Sequence, residues 1–506
     1  MSNKVIIFDT SLRDGEQAPG ATMNLPEKTR MAEQLESLGV DVIEAGFPAS
    51  SPGDFEAVQT VARLIKNCQV AGLCRCHKGD IDAGWEALKN GADPRIHLFL
   101  ATSPIHMEYK LRKSPEQVLE MIKEGVSYAA KFTSNVEFSA EDASRSDLDF
   151  LVKAVDIAIR AGATTINIPD TVGYAQPEEF SARIRYIMEN VPDSDKVVFS
   201  VHSHDDLGLG VANTLAALHA GARQAEVTVS GLGERAGNAA LEEVVMALAV
   251  RKDYYGLTTG IKTEQLLHTC RVLSMLIGQP IPPNKAIVGD NAFAHESGIH
   301  QDGVLKNPET YEIMTPESIG RTKTDLVLGK HSGRAAVKAK LEELGYNLDE
   351  EQLITVVDAL KKLADKKEKI YDEDVEALVL EGVYRLPDQY RLEEMSVNCS
   401  TAGVPPTAAI VMQVGNELKR LASFGAGPVD AIFNTINSII GDTPTLTRYA
   451  VNAITGGTDA QGEVTVRMEY KGCSAVGRGA DPDILVASAK AYINALNRLE
   501  WKTSNV

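Results

Sequence analysis

From Lys4 to about Arg251, short apolar runs alternate with longer segments in which apolar residues return every three or four positions. A buried strand needs only four to eight apolar residues, whereas a helix buries one stripe, so this rhythm predicts repeated βα units around a parallel sheet. The strand candidates are "VIIFDT", "DVIEAGF", "QVAGLCR", "IHLFLATS", "NVEFSAE", "TINIPDT", "VVFSVHSH" and "AEVTVSGLG". Helical patterns separate them, such as "PEKTRMAEQLESLG", with a proline to open the helix and a glycine to end it. Eight units in about 250 residues fit a (β/α)8 TIM barrel. The competing architecture is an open doubly wound sheet, which usually has fewer strands and a Gly-rich fingerprint directly after the first one. Here that strand ends in "DTSLRDGEQAPG", which is not the fingerprint.

Beyond the barrel the pattern changes twice. "IGQPIPPNKAIVGDNAFAHESGIHQDG" leads into the charged, helix-rich "DEEQLITVVDALKKLADKKEKIYDEDVEALV". From about Tyr390, strands of alternating polarity ("YRLEEMSVNCS", "AAIVMQVGN", "LTRYAVNAI", "EVTVRMEYKG") mix with helices and predict a separate α+β domain. The expected division is a barrel over 1–269, a linker subdomain over 270–330, a helical subdomain over 331–389 and an α+β domain over 390–506. The last contains a faint repeat, "SFGAGPVDAIFNTINSI" against "GRGADPDILVASAKAYINAL". Each copy has a Gly-containing loop and a proline placed to begin an amphipathic helix. Free N–H groups at two such helix starts suit a small carboxylate ligand, although ordinary αβ turns explain the pattern equally simply.

Composition narrows the partners. The formal net charge is −19, from 51 Lys+Arg against 70 Asp+Glu, and no long basic run offsets it. Such a surface repels phosphate backbones and anionic membranes, so nucleic acid and membrane are not expected partners. Six scattered cysteines, no signal-peptide pattern in "MSNKVIIFDTSL" and no apolar run long enough for a membrane span point to a reducing cytoplasm. Cys74 and Cys76 stand beside His77, but no second pair with metal-site spacing follows. They read as strand thiols packed in a core.

The chemistry starts in "VVFSVHSHDDLGLGVAN". His202 and His204 are two residues apart on a strand, so they share a face, which in a barrel is the lumen. A lone histidine is most simply a satisfied core residue. Two on one face at the C-terminal end of a barrel strand point to a site, because barrel active sites sit at that end. The loop after the first strand crowds Asp9, Arg13, Asp14, Glu16 and Gln17 together, and the first, seventh and eighth strands are neighbours in a closed barrel. Asp14 can therefore meet both imidazoles, and "SGLGERAGNAALEE" brings Asn238 and Glu234 to the same rim. Two imidazoles, a carboxylate and an amide carbonyl suit Mn²⁺ or Mg²⁺, and the imidazoles also accept Zn²⁺.

"DTSLRDGEQAPG", "VHSHDDLGLGVANTLAAL" and "GLGERAGNAALEEVV" resemble the signature segments of the metal-dependent Claisen-type condensing enzymes of acyl-CoA. This family comprises the 2-isopropylmalate, citramalate and homocitrate synthases, with 3-hydroxy-3-methylglutaryl-CoA lyase as a distant relative. The resemblance spans essentially the whole chain and is nearest the 2-isopropylmalate branch. It implies acetyl-CoA as one substrate, 3-methyl-2-oxobutanoate as the other, K⁺ as an activator, leucine as effector through the C-terminal domain, and a homodimer or tetramer.

Carried over by position, Asp14, His202, His204 and Asn238 match metal ligands. Arg13 matches the cation beside the keto oxygen, and Glu44 the carboxylate that orients it. Glu141 matches a catalytic carboxylate, while His300 and Tyr311 match residues lent by the other subunit; whether His300 is itself the base or acts through water, with Glu141 holding it, stays open, and His295 is a nearby decoy. Thr171, Asn167 and Pro169 are implied at the substrate carboxylate, and Leu73, His97 and Ser139 around its side chain. Three alternatives stay open: citramalate or homocitrate synthesis on the same architecture, a 3-hydroxyacyl-CoA lyase, and a non-catalytic sensor built on the C-terminal domain.

Overall fold

Eight parallel strands close on themselves in chain order: β1 (Ile6–Asp9), β2 (Val42–Glu44), β3 (Gln69–Arg75), β4 (Pro94–Ala101), β5 (Val136–Glu141), β6 (Thr165–Asp170), β7 (Val198–Ser203) and β8 (Gln224–Val227). The computed structural model describes residues 3–321, 325–326, 332–343, 346, 348–364, 375, 378–379, 389–399, 403–453 and 462–505. The expected boundary at 330/331, and the helical pattern just beyond Ala364, lie outside them.

The βα rhythm is built as the sequence predicts. Helix Leu25–Leu38 is fixed at its start by a reciprocal pair in which Asn24 accepts from the Glu27 N–H and Glu27 accepts from the Asn24 N–H. Pro26 occupies its first turn, and Gly39 ends it at φ +94°. Two strands are shorter than their apolar runs. β2 stops at Glu44, close before Gly46 turns the chain at φ +150°. β8 stops at Val227, after which the chain tightens into a turn with Ser230 at φ +60°. One apolar cluster fills the space between strands and helices, including Leu35, Ile43, Ile96, Phe138, Ile166 and Val201.

The lumen is not aliphatic throughout, although barrel interiors are usually dominated by branched apolar residues. At its N-terminal end the buried Arg95 donates to Glu137 Oε2 (2.9 Å), Gln224 Oε1 (2.8 Å), Gln69 Oε1 (2.6 Å) and Asn135 Oδ1 (2.9 Å). Gln224 in turn donates to Glu137 Oε1 at 2.7 Å and to Ser200 Oγ at 2.9 Å. The burial of charge is tolerable because each charged group is paired and hydrogen-bonded. Above this floor Phe8 packs edge-on against His97, with ring centroids 5.7 Å apart.

Contacts divide the chain into two units: Met1–His295 with Asn307–Asp325, and Glu296–Lys306 with Leu326–Val506. The first holds the barrel. The second begins with helices Gly298–Lys306, Arg334–Glu343 and Glu350–Ala364.

It continues as two βββα motifs. Strands Tyr390–Asn398, Thr407–Val414 and Glu417–Phe424 precede helix Pro428–Ile440; strands Thr445–Ala453, Gly462–Tyr470 and Cys473–Asp481 precede helix Ile484–Asn505. Both sheets are antiparallel, and alternate residues of the central strands (Ala408, Ile410, Met412; Val464, Val466, Met468) enter one core with Ile432, Ile436, Tyr492 and Leu496. The faint repeat is thus a structural duplication. Its second helix starts later than the proline suggests, because the Asp483 carboxylate accepts from the Leu485 N–H and so makes Asp483 the cap.

Breaking the buried floor from one side tests its energetics. Arg95→Met leaves Glu137 charged without its partner and is expected to destabilise the barrel by roughly 3–5 kcal/mol. Arg95→Met/Glu137→Leu is expected to recover much of that loss, both read from urea unfolding transitions.

Candidate functional site

The loop leaving β1 is wound tightly on one carbonyl. The N–H groups of Arg13, Asp14 and Gly15 all donate to Thr10 O, at 3.1, 2.9 and 3.1 Å. Asp9 anchors the turn by accepting from the Ser11 N–H and hydroxyl, and burial, aided by Glu242 and Glu44, pushes its carboxyl up to about 7 against those bonds. This winding sends Leu12 into the core and aims Arg13 and Asp14 across the lumen rim.

β7 supplies the imidazoles. The two rings lie 4.9 Å apart, and their Nε2 atoms sit 3.9 Å (His202) and 3.7 Å (His204) from Asp14 Oδ2. His204 Nδ1 is 3.2 Å from the Gly237 carbonyl, which can only accept. Nδ1 must therefore carry the proton, and Nε2 keeps a lone pair facing Asp14. His202 Nδ1 lies 2.9 Å from Glu226 Oε2 on the neighbouring strand β8, close enough for an ion pair but not aligned as a hydrogen bond.

Asn238 arrives from the loop after β8, where it pairs with His204 in a backbone bridge and its N–H donates to Gly231 O at 3.0 Å. The loop needs Gly237 at φ +94°, because any Cβ there would strike the Gly231 carbonyl. The Asn238 amide N–H donates to Asp14 Oδ2 at 2.6 Å, while its carbonyl oxygen is buried without a hydrogen-bond partner.

These donors fit a divalent ion. One donor atom each from Asp14, His202 and His204 lies within 4.8 Å of the others, all three side chains are buried, and the orphaned Asn238 oxygen is an unfilled acceptor beside them. The electrostatics agree. Burial would raise the Asp14 carboxyl, but Arg13, His202, His204 and the Asn238 amide outweigh it and hold it below its usual range. His204 is pushed down to about 4 by burial and by His202, so it is neutral and able to ligate at neutral pH. For His202, burial pulls the imidazole down but Glu226 and Asp14 outweigh it and raise it above its ordinary value.

A second group of contacts fixes the cation next to this set. Arg13 donates to Glu44 Oε2 at 2.6 Å and to Asp14 Oδ1 at 2.7 Å. Glu44 also accepts from Thr10 Oγ1 at 2.7 Å, and His97 Nδ1 lies 2.6 Å from its other oxygen. Burial opposes charge on Glu44, but Arg13 and His97 dominate and hold the carboxyl well below the usual range. His97 is raised to about 9, because Glu44, Glu137 and Glu226 outweigh its burial. As an imidazolium it donates through Nε2 to Ser139 Oγ (2.7 Å), which also accepts from Asn167 Nδ2 at 2.8 Å. The Ser139 hydroxyl proton is then left as a donor.

All of this lines a cleft of about 300 Å³ at the C-terminal mouth of the barrel. Arg13, Asp14, Leu73, His97, Ser139, Glu141, Asn167, Pro169, Thr171, His202 and His204 border it, with Gln17 and Glu234. Glu44 and Asn238 stand directly behind. Thr171 is fixed from both sides: its hydroxyl accepts from the Asp142 N–H at 3.0 Å and its carbonyl from Arg235 at 2.9 Å.

His300 and Tyr311 are not among the lining residues. His300 is exposed on helix Gly298–Lys306 of the second unit; Tyr311, 44% exposed, follows a short turn in the first unit, its ring centroid 6.4 Å from that of His295. Cys74 is a buried strand thiol of the core as expected, whereas Cys76, one residue beyond β3, is half-buried against it; burial pushes both thiols up.

Sequence reasoning did not select Glu226, Lys110, Arg235, Phe47 or Phe99, all of which border the cleft. A signal existed for Glu226, an acidic residue inside the apolar strand "QAEV" and in register with His202. Lys110 sits on a short helix after β4 and Arg235 on the loop after β8, and only the fold brings them to the rim. There Arg235, at φ +59°, grips Asp206 with two bonds of 2.8 and 2.9 Å, and Lys110 pairs with Glu141.

Two measurements test this reading. Glu226→Gln removes the carboxylate behind His202 and is expected to weaken Mn²⁺ binding roughly 10–100-fold by calorimetry. His97 has a folded pKa above its ordinary 6.5. Its contribution to stability is therefore complete below about pH 6.5 and lost as pH rises through about 9. Urea unfolding from pH 6.5 to 9.5 is expected to show this fall, and His97→Gln to flatten it.

Comparison with known proteins agrees with the geometry. The HMGL-like family matches residues 4–273, a homocitrate synthase post-HMGL domain-like family residues 287–368, and a LeuA allosteric (dimerisation) domain residues 369–500. The chain is similar to the 2-isopropylmalate synthase of Nitratidesulfovibrio vulgaris, at 71% identity over 99% of this chain and 98% of the relative. It is also similar to those of Solidesulfovibrio magneticus, at 60% over 99% and 98%, and Syntrophus aciditrophicus, at 55% over 98% and 96%. Among solved structures, a hydroxymethylglutaryl-CoA lyase from Pseudomonas aeruginosa is similar at 21% identity, covering 56% of this chain and 95% of its own, with a TM-score of 0.48. With identity of this degree along both domains, the chain belongs to the 2-isopropylmalate synthase family of acyltransferases.

Proposed function

We propose that this chain joins the methyl carbon of acetyl-CoA to the keto carbon of 3-methyl-2-oxobutanoate and hydrolyses the thioester, releasing 2-isopropylmalate and coenzyme A. The observation that carries this reading is the meeting of Asp14, His202 and His204 with the clamped guanidinium of Arg13 at one mouth of the barrel. Leu73, Phe47 and Phe99 add apolar lining to the same cleft, as an isopropyl group requires.

Asp14, His202, His204 and Asn238 are the residues that would hold a divalent ion, Mn²⁺ first, with Mg²⁺ and Zn²⁺ as competitors. When bound, the ion supplies Lewis acidity toward the 2-oxo acid. Arg13, held by Glu44, offers fixed positive charge where the keto oxygen becomes an alkoxide. Ser139 and His97 shape the side-chain pocket, while Asn167, Pro169 and Thr171 receive the substrate carboxylate. Glu141 takes the methyl proton, and His300 and Tyr311 complete the site from a second copy of the chain.

Regulation follows the domain plan. Residues 1–269 form the catalytic barrel, 270–330 and 331–389 the intervening subdomains, and 390–506 the regulatory domain. The match to an allosteric dimerisation domain supports leucine as the effector and a homodimer, or a tetramer of such dimers, as the assembly. K⁺ is the proposed activator. No helix among the described residues is long and apolar enough to cross a membrane, which accords with the cytoplasm as its place of action.

The test is steady-state thiol release. 3-Methyl-2-oxobutanoate is expected to exceed pyruvate in kcat/KM by at least about tenfold, since each methylene-sized difference in an apolar pocket is worth roughly 1–3 kcal/mol. Chelation is expected to abolish the activity, Mn²⁺ to restore it and leucine to depress it. A preference for pyruvate would overturn the substrate assignment.

A further inference from the structure

Resting on the reading of acetyl-CoA as acyl donor, we propose that Lys110 is a catalytic residue that holds the thioester oxygen while Glu141 removes the methyl proton. Removal of that proton puts negative charge on the thioester oxygen, and a thioester methyl is too weak an acid to lose it at neutral pH without a cation there.

Among the described residues, three lysine or arginine cations line the cleft, Arg13, Arg235 and Lys110, beside the His97 imidazolium, which is engaged by Glu44 and Ser139. Arg13 is engaged by Glu44 and Asp14 on the keto-acid side. Arg235 is tied by two bonds to Asp206 and by one to the Thr171 carbonyl. Lys110 has a single anchor, the Glu141 carboxylate, and its side chain is half exposed. It rides on the wide-turned helix His106–Leu111, which ends at Arg112 in the left-handed conformation, φ +55°. A lysine ammonium is a compact charge with three rotatable donors, so Lys110 can keep Glu141 and still donate to a second oxygen.

Lys110 and Glu141 also line a second cavity of about 410 Å³. Phe99, Leu100, Leu111 and Met121 give it apolar walls, while Arg75, His77 and Asp80 border it as well. The ion pair therefore stands in the wall shared by two cavities, one holding the donor set for the keto acid and one whose mixed apolar and polar walls suit a long arm that carries amides. A thioester arriving through the second cavity meets Glu141 and Lys110 together.

The step balances as follows. Glu141 takes the methyl proton and becomes a neutral carboxyl, the C–H electron pair becomes a C=C bond, and the carbonyl π pair moves to the thioester oxygen. The negative charge that leaves Glu141 reappears on that oxygen, and the Lys110 ammonium neighbours both positions without transferring a proton. The enolate then restores its C=O as its carbon bonds to the keto carbon. The keto π pair becomes the alkoxide beside Arg13; a water protonates this alkoxide and takes up the Glu141 proton, which restores the carboxylate.

The test uses the full-length, Mn²⁺-loaded chain. Lys110→Met is expected to lower kcat roughly 100–1,000-fold. KM for the 2-oxo acid should stay within about threefold, with Mn²⁺ affinity and melting temperature unchanged. The deuterium isotope effect from trideuteroacetyl-CoA is expected to grow, and methylamine to restore part of the rate in Lys110→Ala. A Lys110→Met enzyme that keeps kcat within about threefold would overturn the proposal. So would one that loses rate with no change in isotope effect and no amine rescue, because Lys110 would then only support the fold. Wild-type protein without acetyl-CoA-dependent thiol release would instead overturn the condensation reading itself.

Discussion

One buried carboxylate, that of Asp14, sets the terms for everything around it. Its two oxygens are divided: Oδ1 takes Arg13, while Oδ2 takes the Asn238 amide and faces both histidine Nε2 atoms. A charge this deeply buried persists only where opposite charges and donors outnumber the cost of desolvation. That requirement draws residues from β1, β7 and the loop after β8 to one point, and barrel closure makes those three elements neighbours.

The same logic runs down the lumen. Arg13, Glu44, His97, Ser139 and Asn167 form one hydrogen-bonded chain beneath the cleft, and Arg95, Glu137 and Gln224 form another at the floor. Low dielectric strengthens each link and penalises any missing partner, so the geometry is steep rather than soft. Arg13 consequently has little freedom to turn away from the rim. Lys110 and Arg235, outside this lattice, are placed by a short helix and a loop.

The second unit obeys a different constraint. Two βββα motifs each have one apolar sheet face and one apolar helix stripe, and neither can bury these alone. Their shared core, with Phe433 and Tyr492 stacked at 4.2 Å, solves that for both. It leaves two equivalent helix starts, after Gly427 and at Asp483, as matched features of the duplication.

What the sequence determined by itself is whatever depends on near neighbours. Strand and helix alternation, the helix caps, the duplicated motif and the common face of His202 and His204 follow from periods of two and 3.6 residues and from local hydrogen bonds. The closeness of Asp14 to those histidines was also legible, because eight βα units imply closure and closure fixes which strands adjoin. Glu226 behind His202, the Lys110–Glu141 pair and the grip of Arg235 on Asp206 were decided only by the tertiary structure. They join positions 24 to 31 residues apart through strand register and loop paths, and an acidic or basic residue on a strand or loop shows no periodicity that reveals what it will meet.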